Sequence, residues 1–119
     1  MRASSGVFAT ALLLISTNLS VAATLSPKEI QGEFFNGQPF TSSTPSNIKF
    51  TMVFTPDGKV SRQPLGNAGL KGEGTWKLDK NGFCTTWKGS KANCFIVSAT
   101  GENKWTVMKG PTTMAVWSK

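Results

Sequence analysis

The chain reads as an all-β protein: an antiparallel meander of about seven to eight short strands forming a small barrel or barrel-like sheet, with one short N-terminal helix at about residues 27–35. Three observations predict this. From Ile48 onward, apolar and polar residues alternate with period two, the side-chain period of a half-buried strand. Turns bearing Gly, Asn, Asp or Pro interrupt that alternation at short, even intervals, as in barrels and sandwiches. After Gly37 no stretch sustains a helical period.

The elements follow in order. Arg2, the apolar run 7–15 (VFATALLLI) and the small residues Val21, Ala22 and Ala23 have the layout of a secretory signal peptide cleaved before Thr24. The run is shorter than the roughly 20 apolar residues that span a bilayer. Residues 1–23 are therefore expected to be a cleaved leader. Residues 24–119 are expected to form a single small domain without an integral membrane span, periplasmic or secreted. Ser26, Pro27 and Glu29 then supply an N-cap, a proline at the first helical position and the third member of a capping box. Ile30 and Phe34 share one helical face, and Asn36-Gly37 provides a stop.

A strand and loop of undefined extent follow over 38–45, ending in the Ser/Thr-rich segment 41–47. Next comes K49-F-T-M-V-F54, with Phe50, Met52 and Phe54 on one face. Pro56-Asp57-Gly58 makes a tight turn into a return strand at Val60. A glycine-rich loop over 64–72 leads to E73-G-T-W-K-L78, and Asn81-Gly82 carries the strongest two-residue hairpin signal. Strands at 83–87, 91–99, 105–108 and 113–117 complete the meander. Pairing of the last strand with the first would remove the exposed edges.

Cys84 and Cys94 are the only cysteines. A structural zinc site wants four nitrogen or sulfur ligands, and the chain has no histidine. A thioredoxin-like site wants C-x-x-C. In an oxidising compartment the pair is expected to form a disulfide. If 83–87 and 91–97 pair around Lys88-Gly89-Ser90, then Cys84 faces Cys94, Phe83 faces Phe95 and Thr85 faces Asn93. The wider cross-strand spacing, about 5.5 Å between Cα atoms, is within disulfide reach.

Composition narrows the function. Without histidine there is no Ser-His or Cys-His couple and no ordinary base titrating near neutrality. Glu29 and Glu33 are stacked along one helix face, whereas a glycosidase needs carboxylates facing each other across a cleft. Met52, Met108 and Met114 are soft donors in principle, but Met52 alternates with Phe50 and Phe54 as core. No enzyme, metal or cofactor is expected. After Ala23 eleven lysines accompany one arginine, Arg62, and six acids. Nucleic-acid readers lean on arginine, so a Lys-rich exported surface points instead to an anionic envelope component or an acidic protein.

Loop parity sharpens this expectation. In an up-and-down sheet alternate loops share an end, so Asp57, Asp79 and Glu102 lie together. Lys71, Lys88, Lys91 and Lys109 gather at the other end, on loops without an acid, where the 41–47 segment also belongs. Small barrels take ligands at such a mouth. Tryptophans 76, 87, 105 and 117 are core filler or pocket wall. Trp87, just before the lysine-bearing hairpin tip, is the strongest candidate for the wall.

G74-T-W, C84-T-T-W87 and C94-F, preceded by F54-T-P-D-G58, resemble the pattern of small exported proteobacterial proteins of uncharacterised function. The likeness covers about residues 25–119. It implies a periplasmic or secreted β-rich domain and brings no catalytic residues. A looser likeness, through G-T-W and the meander, is to lipocalin- and avidin-type barrels; an avidin-type biotin site would want a tyrosine, and the chain has none. The expected function is a non-enzymatic exported binding domain for an anionic ligand or envelope component, with Lys71, Trp87, Lys88, Lys91 and Lys109 at its mouth. The alternative is a protein-interaction or inhibitor module acting through the same loops.

Overall fold

In the computed structural model, which describes residues 23–119, the chain forms nine strands and one helix. The predicted leader falls, apart from Ala23, outside the described residues. β1 (Ala23–Thr24) leads into α1 (Pro27–Phe34), whose capping box is present as expected: Ser26 accepts from the Glu29 N–H, and Glu29 accepts from the Ser26 N–H. The helix ends one residue before the expected limit. Phe35 is its C-cap, with its N–H on the Gln31 carbonyl.

β2 (Phe40–Ser43), β3 (Lys49–Thr55), β4 (Lys59–Pro64), β5 (Gly72–Leu78), β6 (Phe83–Trp87), β7 (Ala92–Gly101), β8 (Lys104–Lys109) and β9 (Thr112–Ser118) pair antiparallel in chain order. β9 returns to β2, with Ser42 opposite Trp117, so eight strands close into a barrel. Closure leaves no long exposed edge. β1 is an extra strand, pairing Ala23 with Ala99 of β7.

Alternation builds the core. Phe40, Phe50, Met52, Phe54, Val60, Phe83, Val97, Val107 and Trp117 are buried on the inner face, while intervening residues such as Thr51, Ser61 and Thr75 face outward. Ile30, Phe34 and Phe35 enter this cluster from the helix. Phe34 meets Trp117 and Trp105 edge to face at 4.8 and 4.9 Å, and Phe35 stacks on Phe54 at 4.2 Å. The Gly37 N–H on the Phe54 carbonyl secures the exit from the helix.

The hairpin register is as the sequence predicts: Phe83 opposite Phe95, Cys84 opposite Cys94, Thr85 opposite Asn93, with the two sulfurs bonded. The spacing differs. The cysteine Cα atoms are 3.9 Å apart, close to the narrow, non-hydrogen-bonded type of antiparallel pair and not the wide one.

Asn81-Gly82 also departs from expectation. The ladder ends at Leu78–Phe83, leaving a longer loop over 79–82 closed by the Asp79 N–H on the Gly82 carbonyl. Neither Asn81 nor Gly82 has the positive φ that a type I′ turn requires. Glycine serves close approach here: a Cβ at 82 would stand 1.9 Å from the Phe95 carbonyl oxygen.

Candidate functional site

Antiparallel closure sends the turns 56–58, 79–82 and 102–103 to one end of the barrel. The loops 44–48, 65–71, 88–91 and 110–111 go to the other. The ends are not equivalent, because α1 fills the first. Phe34 and Phe35 reach Phe54, Trp76, Phe83, Trp105 and Trp117 from that side. The interior is consequently packed at the helix end and open at the loop end, where a cavity of 360 Å³ remains.

The cavity floor is apolar: Met52, Phe54, Phe83, Phe95, Val107 and Trp117. Nearer the mouth the lining turns polar, with Ser42, Thr44, Thr85, Asn93, Arg62 and Lys109. The Lys109 ammonium donates to the Asn93 amide oxygen, so β8 and β7 present one polar unit to the opening. Arg62 arrives on β4 with inward parity: it pairs across from Met52, two residues after buried Val60. Its guanidinium carbon lies 4.5 Å from the Trp87 ring centroid and 5.2 Å from that of Phe50. Its Nε is buried and has no hydrogen-bond partner among the described residues.

The predicted mouth residues separate into groups. Trp87 and Lys109 line the interior cavity. Lys71 and Lys88 line a separate cleft of 660 Å³ on the adjoining outer surface, together with Trp87, Arg62 and Glu73. Glu73 places one acid beside that cleft, on the outward face of β5, just past the acid-free loop. Lys91 is exposed on the 88–91 loop, and its carbonyl accepts from the Asn93 side chain. Arg62 and Asn93 were not anticipated as site residues. The signal for Arg62 was present in V60-S-R62, where the sole arginine of the domain shares the inward parity of Val60.

The tryptophans divide likewise. Trp117 is buried core, Trp105 packs on Phe34, and the Trp76 Nε1–H donates to the Thr55 carbonyl at 2.8 Å. Trp87 alone among them lines both openings.

Three acids away from the mouth have structural partners. Glu29 completes the capping box, and Glu33 pairs with Lys119 at 2.8 Å. At the plugged end, the Thr55 hydroxyl donates to the exposed Asp57 carboxylate. This holds Asp57 below its ordinary value of 3.8, opposed by desolvation and helped by Lys59. Asp79 lies within 4.8 Å of both cysteine sulfurs, but those sulfurs bond each other and offer no thiolate. No described helix is long and apolar enough to cross a membrane.

No family model matches the chain, and neither a curated protein nor a solved structure matches it. The proteobacterial and lipocalin-like resemblances are therefore neither supported nor contradicted by these comparisons.

Proposed function

We propose that this protein is a non-enzymatic binding domain that takes an anionic ligand at the open mouth of its barrel. One observation carries the reading: the helix closes one end, and the interior cavity opens at the other, among Lys109, Arg62 and loops bearing Lys71, Lys88 and Lys91. A cavity with an apolar wall and a few convergent polar groups is the usual form of a small-molecule site. Cations gathered at its entrance raise the local concentration of anions and speed their capture.

The test is retention on immobilised dextran sulfate at moderate salt, comparing the native chain with a variant carrying Ser at 71, 88, 91 and 109. The variant is expected to elute at distinctly lower salt, since exposed charges act through screened long-range fields. Identical elution would remove the reading.

A second reading is favoured by the same loops. Leu65 and Leu70 are 57% and 78% exposed on the loop between β4 and β5, and Met114 at the mouth is 41% exposed. Exposed apolar side chains at a lysine-bearing end suit a protein partner as well as a small ligand. Native mass spectrometry of protein purified from its own host separates the two: a bound small molecule supports the barrel cavity, and a stoichiometric protein complex supports an interaction or inhibitor module.

A further inference from the structure

Arg62 is the least explained charge in the molecule. An arginine on the inner face of a small barrel is costly unless its charge is paired and its donors are satisfied. Here it is stacked between Trp87 and Phe50, with a buried Nε left over. No carboxylate pairs with it: the ion pair found among the described residues is Lys119–Glu33, at the plugged end. Glu73, next to the cross-strand partner Gly72, faces outward and forms no ion pair with it.

Stacking on two rings occupies the faces of the guanidinium, and the buried Nε on its edge has no acceptor among the described residues. That edge is a planar fork matched to a carboxylate. Lys109 stands on the same cavity, with only the neutral Asn93 amide as a side-chain partner. Two cations therefore line one cavity whose lining contains no acid, above a floor of Phe54, Phe83, Val107 and Trp117. Like charges that line one cavity repel unless an anion joins them.

We propose that Arg62 and Lys109 form a head-group clamp for a small amphiphilic carboxylate whose apolar tail enters the barrel toward the helix plug. The inference rests on the open-cavity reading above and adds the ligand class to it. The volume bounds the enclosed part of the ligand. At about 30 Å³ per water-sized group, a 360 Å³ cavity accommodates about a dozen such groups, which suits a tail of medium length.

The experiment is calorimetric titration of the full exported chain with octanoate, octan-1-ol and acetate, matched for tail or for head. Octanoate is expected to bind about tenfold to a hundredfold more tightly than either of the others, the range that charge-assisted hydrogen bonds support. Arg62→Met should remove most of that advantage, bringing octanoate close to octan-1-ol. Lys109→Met, at an exposed strand end where folding is not at risk, should weaken octanoate severalfold in the same sense. Equal binding of octanoate and octan-1-ol, or undiminished octanoate binding by both variants, overturns the clamp but leaves the cavity standing. Failure of both octanoate and octan-1-ol to bind overturns the clamp together with the small-ligand reading of the interior, whatever the lysine variant does on dextran sulfate.

Discussion

Truncating the helix plug tests whether α1 is an integral part of the barrel core. Phe34 is 0% exposed, and its ring meets Phe40, Trp105 and Trp117 at 5.0, 4.9 and 4.8 Å between centroids. Burying a phenylalanine side chain contributes about 1.5–3 kcal/mol. Each favourable aromatic pair adds about 0.5–1.5 kcal/mol, though such terms are not additive. Phe34→Ala also leaves a cavity that the barrel wall, locked by its closed ladder, can only partly fill. The expected loss is thus about 3–5 kcal/mol, as for other buried Phe→Ala changes. Alanine is a good helix former, and the capping box at Ser26 and Glu29 is untouched, so the loss measures docking and not helix propensity. For a domain of this size a loss of about 4 kcal/mol lowers the melting temperature by about 15–30 °C. Thermal and urea unfolding followed by circular dichroism would measure it, with the near-ultraviolet signal reporting the surroundings of Trp105 and Trp117. A loss below about 1 kcal/mol, within the range of ordinary substitutions, with an unchanged near-ultraviolet spectrum would refute the plug and the one-mouthed barrel with it.

Two further outcomes follow from the same geometry. Replacing Cys84 and Cys94 together by Ser should lower stability by about 3 kcal/mol, the chain-entropy value for so short a loop, read as a reduced urea midpoint, with a slope equal to or steeper than that of the native chain because the unfolded state loses its cross-link. Asp57 has a depressed folded pKa, so its contribution is present above the ordinary value of 3.8 and is lost as pH falls through the lower folded value. Thr55→Val should therefore raise the Asp57 midpoint in an NMR titration and leave behaviour near neutral pH unaltered; an unmoved midpoint would show that Lys59 and not Thr55 governs the group.

The strand order, the helix cap, the disulfide and the hairpin register were legible in the sequence because each depends on neighbours close along the chain. Period-two alternation sets which side chains share a face. The S-x-x-E spacing sets the cap, and two cysteines flanked by Phe83 and Phe95 permit one register. Loop parity follows from the meander alone, so the separation of Asp57, Asp79 and Glu102 from the lysine loops was also readable.

Other features depend on contacts made across the closed barrel. That Gly82 serves close approach to Phe95, and not the turn its sequence suggests, follows from the pairing of Phe83 with Phe95, which brings the neighbouring strand's backbone against residue 82. Which end is open was decided by where Phe34 and Phe35 dock, a contact between the first helix and the last strand that no local pattern encodes. The position of Arg62 between Trp87 and Phe50 likewise joins three strands whose side chains meet only when the sheet curls. Local spacing determines which face a residue takes; closure of the sheet determines what it faces, because that depends on side chains brought in from distant parts of the chain.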